Sequence, residues 1–218
     1  MGQLNFSGLK NALAKVYFIG GAPCAGKSTI VERLAERYNL QPYHLDRHIS
    51  QKYFQLDPIR QPVMYKWTTN HWETLWMQPA DILFQEVITA YQEQWEMAIQ
   101  DLLQFPQDRP ILAEGNPFMP HLVAPILTTP HQAVWLTPSP HFLQETYLSK
   151  RKDFVDQLLR HCSDPLEAAN RWMERDIAFA VWIRQNAVNL GLPLLDVDGS
   201  RSLESNTEWV AEHFRLKL

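Results

Sequence analysis

The sequence predicts an α/β fold, in which a mainly parallel, five-stranded sheet carries helices on both faces. Three observations lead there. Five short segments, Val16 to Gly20, Pro42 to Asp46, Pro110 to Gly115, Ala133 to Thr137 and Leu192 to Val197, are mostly apolar rather than alternating in polarity, and each is followed by sequence of helical character. Strands of that kind suit a parallel sheet buried on both sides. A glycine-bounded loop, Gly21 to Ser28, separates the first strand from its helix. With 218 residues, 45% of them hydrophobic, the chain can bury one substantial core, so residues 1–218 read as a single domain with inserted helical segments.

In chain order, Val16-Tyr17-Phe18-Ile19-Gly20 reads as a buried strand. The loop after it, Gly21-Ala22-Pro23-Cys24-Ala25-Gly26-Lys27-Ser28, fits G-x-x-x-x-G-K-[ST], the Walker A pattern. Such a loop grips phosphate: glycine lets the main chain curl tightly, and successive N–H groups converge on the closely spaced charges of a nucleoside triphosphate. Lys27 supplies a cation for the outer phosphates and Ser28 a hydroxyl for Mg²⁺, while the helix that begins there adds the positive end of its dipole. Ile30, Leu34 and Tyr38 lie one turn apart on one face of that helix, as packing on a sheet requires. The nucleotide contacts expected here are Gly21, Ala22, Pro23, Cys24, Ala25, Gly26, Lys27, Ser28 and Thr29.

The second strand is expected to end in Tyr43-His44-Leu45-Asp46, which puts Asp46 on the carboxyl edge that presents the phosphate loop. A carboxylate there can take a proton from an acceptor hydroxyl or orient it for attack on a γ-phosphate; the alternative is a helix N-cap. Arg47 to Pro79 is too long for a simple connection and is expected to fold as a cap, carrying Trp67, Trp72, Trp76, Tyr53, Phe54, Tyr65, His48 and His71. Those aromatics either line a pocket for a ring-bearing or apolar molecule or pack the cap on the main body. From Asp81 to Gln104, Leu83, Val87, Tyr91, Trp95, Ile99 and Leu102 recur every three or four residues, the mark of a long helix buried along one face.

The third strand ends Ile111-Leu112-Ala113-Glu114-Gly115, an acid at a strand end followed by a glycine that leaves room beside the backbone; a surface turn with Asn116-Pro117 is the alternative. Ser139 to Ser163, after the fourth strand, is helical in pattern and rich in cations, the place for a mobile lid. Asp164-Pro165-Leu166-Glu167 combines an N-cap, a proline at the first helical position and an acid three residues past the cap, opening a helix toward Asn189 that Gly191 stops. Arg171 and Arg175 lie one turn apart on it, and Arg151 sits in the Lys150-Arg151-Lys152 cluster. A planar guanidinium brought in by a lid stabilises charge spreading over a transferring phosphoryl group, with Arg175 and Arg171 the first candidates. Pairing with Glu167, Glu174 or Asp176 is the alternative for each arginine. Ser202 is expected to cap the last helix, whose apolar face includes Leu203, Val210 and Phe214.

A net charge of −4, with Lys and Arg spread along the chain, disfavours long nucleic acid as a partner and favours a small acceptor. There are two cysteines, and Cys24 lies inside the loop, where a disulfide would interfere with nucleotide entry; a reducing compartment is implied. No apolar run approaches the ~20 residues needed to cross a bilayer, and no basic segment followed by an apolar one opens the chain, so the expected location is cytoplasmic with no membrane partner. His48 and His71 lack the spacing of metal ligands, which argues against zinc. The oligomeric state is open, a homodimer included.

Taken together, the loop Gly21 to Ser28, Asp46, Glu114-Gly115, the cationic lid and the turn Asp198-Gly199-Ser200-Arg201 before the final helix resemble the phosphate-loop kinases of small molecules. That group includes adenylate, shikimate and gluconate kinases, chloramphenicol phosphotransferase and the zeta-toxin group. The resemblance implies a three-layer α/β/α P-loop NTPase fold with a helical acceptor cap (47–79) and a lid (139–163), ATP and Mg²⁺ as cofactors, and transfer of the γ-phosphate to a hydroxyl of a small molecule. It further implies that Asp46 is the base or acceptor contact, that Glu114 helps Ser28 hold Mg²⁺ directly or through water, and that Gly199 and Arg201 contact the nucleotide; the alternative for Gly199 to Arg201 is simply the turn that starts the final helix. The chain departs from the shikimate pattern in lacking a second acid beside Asp46, and no lid signature names one family. The competing readings are a nucleotide-binding regulatory ATPase without a metabolite acceptor and a kinase of nucleic-acid 5′ ends.

Overall fold

The structure, a computed structural model, describes residues 6–217. In chain order the elements are α1 (Phe6–Ala12), β1 (Val16–Gly21), α2 (Lys27–Tyr38), β2 (Gln41–His44), α3 (Leu45–Ser50), α4 (Pro62–Thr69), α5 (Trp72–Trp76), α6 (Ala80–Gln104), β3 (Ile111–Glu114), α7 (Pro120–Val123), β4 (Ala133–Pro138), α8 (Pro140–Ser149), α9 (Lys152–Leu159), α10 (Pro165–Asn189), β5 (Leu194–Val197) and α11 (Leu203–His213). The five strands are all parallel, in the order β2-β3-β1-β4-β5.

Alternation along the strands builds two cores. Phe18 of β1 faces a cluster with Tyr43, Val87, Leu102, Phe118, Trp135, Phe179 and Ile183, under α6 and α10. Its neighbour Ile19 faces the opposite cluster, with Ile30, Leu34, Leu136, Leu195, Val210 and Phe214, under α2 and α11. Period-two side-chain direction in the strand meets period-3.6 stripes in the helices, and the result is the expected three-layer α/β/α arrangement. A third, smaller cluster joins α8 and α9 to the first half of α10 through Leu143, Tyr147, Val155, Leu159 and Trp172.

The register positions the site. Ile19 pairs with Glu114 and Glu114 with His44, so the carboxyl ends of β1, β3 and β2 lie side by side where the phosphate loop begins. Helix signals act locally as anticipated: Asp164 Oδ1 accepts from the Glu167 amide at 3.0 Å, and Ser202 Oγ from the Ser205 amide at 3.1 Å. Among the described residues no helix is long and apolar enough to cross a membrane.

The structure corrects one boundary that bears on chemistry. β2 stops at His44 rather than Asp46, because its one neighbour, β3, ends at Glu114 and offers no further rung. Leu45 and Asp46 turn instead into α3, with His44 in the cap position. Asp46 is therefore in the first turn of a short helix, neither a strand end nor an N-cap. β5 similarly begins at Leu194, since Pro193 has no amide to donate and only accepts from Trp135. The segment after β2 is helical in α3, α4 and α5; the side chain of Phe54 lies outside the described residues.

Gly21 joins sheet to loop at φ 126°, and a Cβ there would stand 2.0 Å from the Leu136 carbonyl oxygen. Gly21→Ala is expected to destabilise the protein by about 3 kcal/mol, from overpacking and strain together, read as a lowered urea midpoint.

Candidate phosphate-binding and transfer site

The loop curls through two left-handed residues, Cys24 at φ 65° and Gly26 at φ 79°, before α2 starts at Lys27. Among the described residues, the amides of Gly26, Lys27 and Ser28 donate to no protein acceptor. Unpaired N–H groups at the positive end of a twelve-residue helix form a donor set suited to an anion. Lys27 is buried, and its Nζ donates to the Ala22 carbonyl and to Asn116 Oδ1, both at 2.7 Å. Asn116 in turn donates through Nδ2 to the Tyr91 hydroxyl at 3.1 Å. Burial pulls the Lys27 pKa down, against the opposing charges of Glu114 and Asp46.

Ser28 Oγ donates to Glu114 Oε1 at 3.0 Å, and His44 Nδ1 lies 2.9 Å from the same oxygen. Burial works against the Glu114 charge, but the His44 contact, the Lys27 ammonium and the Ser28 hydroxyl outweigh it and hold the carboxyl below its usual range. Asp46 goes the other way. Burial first, then the Glu114 charge, raises its pKa, although Lys27 and Arg151 oppose the rise. Gly115 makes this closeness possible, because a Cβ there would fall 2.8 Å from Leu45 Cβ and push the start of α3 away from β3.

These groups share one cavity of about 530 Å³, lined by Pro23, Cys24, Ala25, Gly26, Lys27, Ser28, Thr29, Asp46, Glu114 and Asn116, with Arg151 and Arg175 among the residues facing them. Arg151 Nη1 is 3.7 Å from Cys24 Sγ, and the guanidinium lies over the Tyr147 and Phe154 rings. Arg175 is buried; its Nε and Nη2 donate to Asp176 Oδ1 at 2.9 and 2.6 Å, and it lies over the Trp76 and Trp172 rings. Asp176 also accepts from the Tyr147 hydroxyl. Arg171 is not brought to the cavity, since its Nε pairs with Glu167 Oε1 at 2.7 Å and it donates to the Met77 carbonyl. One helical turn separates the two arginines in sequence, but Glu167 and the Met77 carbonyl after α5 hold the first and the cavity receives the second.

Gly199 and Arg201 also lie outside this cavity. Gly199, at φ 87°, packs beside Phe142, and Arg201 lines a separate depression with Asp198, Ser200 and Trp209. Of the aromatics between residues 47 and 79, Tyr53, Trp67, Trp72 and Trp76 line a second, apolar pocket of about 200 Å³, which meets the first at Tyr53 and Arg175. His48 instead stacks on Tyr43, and His71 occupies the cap position of α5.

Sequence reasoning missed Asn116, Tyr91 and His44 as members of the site. Tyr91 was legible only as part of a helix stripe, and Asn116 only as a turn residue. His44 had a usable signal, since a polar residue at the end of an apolar strand beside a strand-end acid seldom lies there without a partner.

The donor set fits the groups the sequence implies. Mg²⁺ takes hard oxygen ligands and keeps several waters, bound by one or two carboxylates together with phosphates. The Ser28 hydroxyl and the charged Glu114 carboxylate offer that, and the free loop amides beside Lys27 suit the phosphates of a nucleotide. Among the described residues no cluster of three or more His, Cys, Asp or Glu side chains makes an all-protein metal cage.

No family model matches the chain, and no curated protein matches it. Among solved structures it is similar to the crystal structure at 1.70 Å of a "putative kinase" from Chloroflexus aurantiacus J-10-fl, with 19% identity over 91% of this chain and 97% of that one and a TM-score of 0.42.

Asn116→Ala removes an acceptor from the buried Lys27 and a partner from the Tyr91 hydroxyl at once. It is expected to cost about 1–3 kcal/mol in chemical denaturation, the penalty for buried polar groups left unpaired.

Proposed function

We propose that the protein is an ATP-dependent phosphotransferase that moves the γ-phosphate of ATP to a hydroxyl of a small molecule. The observation that supports this reading is the convergence, in one cavity, of the loop residues, Lys27, the Ser28–Glu114 pair, Asp46, Arg151 and Arg175. A site that only anchored a nucleotide would have no use for the raised carboxylate facing the loop.

In this reading the loop amides and Lys27 hold the phosphates. Two of the three N–H bonds of the ammonium are spent on Ala22 and Asn116, and the third is left for a phosphate oxygen. Ser28 and Glu114 would hold Mg²⁺, directly or through water, and the ion when bound neutralises charge on the β- and γ-oxygens. Asp46 accepts the proton of the acceptor hydroxyl as the new O–P bond forms and the bond from the γ-phosphorus to the bridging oxygen breaks, leaving ADP. Its raised pKa makes it a better proton acceptor than an ordinary aspartate, so long as it is ionised when the acceptor arrives. Arg151 and Arg175 face the charge that spreads over the equatorial oxygens. Residues 139–163, with Arg151, are then the lid and residues 47–79 the acceptor cap, which together exclude water from the transferring group.

The testing experiment is a broad panel of hydroxylated metabolites, read out by ADP formation. If none stimulates ADP formation while MgATP binds tightly, the reading gives way to a regulatory ATPase. With an active acceptor, Lys27→Ala is expected to lower turnover by at least about 100-fold. Its circular dichroism should be unchanged, and retained turnover would remove the loop from the mechanism. Asp46→Asn is expected to cut transfer by about 100-fold or more while the MgATP dissociation constant, measured by calorimetry, stays within about threefold.

A further inference from the structure

We infer that the apolar pocket beside the phosphate-loop cavity takes an uncharged, ring-bearing alcohol that carries a hydrogen-bonding group at the end remote from its reacting hydroxyl; that this ligand is the phosphate acceptor rests on the phosphotransferase reading above. The walls are Trp67, Trp72, Trp76, Met64 and Leu83, and about 200 Å³ is room for one substituted ring. One charged side chain, Arg175, reaches the pocket, and its guanidinium is already committed to Asp176 and flanked by the Trp76 and Trp172 rings. A sugar acid or a phosphorylated acceptor would find no cation there besides Arg175, which Asp176 already neutralises and which the reading above assigns to the transferring phosphoryl group; an amine would find no carboxylate, and a polyol would face mostly apolar walls.

Gln94 sets the polar end. It is 94% buried, from a relative exposure of 6%, and it lines the pocket. Among the described residues its side-chain amide makes no hydrogen bond within the protein, and its polar atoms open on the pocket. A donor and an acceptor that open together on a mostly apolar pocket are matched by a ligand that brings the complementary pair, such as a carboxamide. The other end opens to the chemistry. Tyr53 and Arg175 line both cavities, and Asp46 lines the first, so a ligand seated between the indoles has its free end toward the cavity that holds Asp46.

The probe is 4-(hydroxymethyl)benzamide, with benzyl alcohol and D-gluconate as comparators. Binding is followed by tryptophan fluorescence and ligand-observed NMR, and transfer by ADP formation. The benzamide is expected to bind, and Gln94→Leu to weaken it by about tenfold while hardly affecting benzyl alcohol. Because Gln94→Leu replaces an unpaired amide with an apolar group of similar size, it should melt no lower than the parent chain, whereas a Gln held for structure would lower the melting point. Leu83→Trp, which fills the pocket from the same helix, serves if Gln94→Leu does not fold, and should abolish binding of both ring probes. Failure of the benzamide to bind protein that binds MgATP, equal affinity for Gln94→Leu, or competition by D-gluconate overturns the ligand class. Gln94-dependent binding without ADP formation leaves the ligand class standing and removes the phosphotransferase reading. ADP formation stimulated by a charged polyol but not by ring alcohols does the reverse.

Discussion

Lys27 is buried at the head of the central strand, and a cation withdrawn from water has to be compensated by its surroundings. Here the compensation comes from four groups on three stretches of chain: the Ala22 carbonyl in the loop, Glu114 and Asn116 at and after the end of β3, and the carboxylate of Asp46. None of these can move far without leaving the buried ammonium short of a partner. The sheet order that seats β1 between β3 and β4, and the register that aligns Ile19 with Glu114 and Glu114 with His44, are what bring the partners within reach.

Two acids share this cation, and their environments drive them apart. Glu114 accepts from Ser28, touches His44 and is held in its charged form. Asp46, buried and without such contacts among the described residues, rises through that burial and then through the Glu114 charge. Neighbouring carboxylates pushed in opposite directions divide labour readily, one suited to a cation and the other to a proton. Gly115 sits between them in space, and the missing side chain is what lets α3 carry Asp46 so close to the end of β3.

A second buried cation organises the opposite wall. Arg175 is held by Asp176, which Tyr147 of α8 also engages, and it lies over the indoles of Trp76 and Trp172. Trp76 and Trp172 stack with centroids 4.3 Å apart, so α5 and α10 meet around this guanidinium. Arg175 consequently belongs to both cavities, and the phosphate-loop cavity and the aromatic pocket share a group already fixed in place. In the proposed transfer, a preset cation would add no reorganisation as charge develops beside it.

The sequence by itself determined what depends on neighbours along the chain. The five apolar segments, the glycine-bounded loop, the long stripe from Leu83 to Leu102 and the caps at Asp164 and Ser202 are local patterns, and each gave its element, with the end of β2 and the start of β5 shifted by two residues. What only the tertiary structure decided are encounters across the fold. β2 ends at His44 because β3 has no further rung to offer, Arg171 is drawn to Glu167 and Met77 while Arg175 enters the cavity, and Gly199 and Arg201 lie apart from the loop. Asn116 and Tyr91 joined the Lys27 network through contacts 89 and 25 residues apart in sequence. Periodicity and capping are set within a few residues, so they can be read from one strand of text. Whether a side chain is buried beside a given charge depends on which distant segments pack against it, and that is a property of the assembled layers.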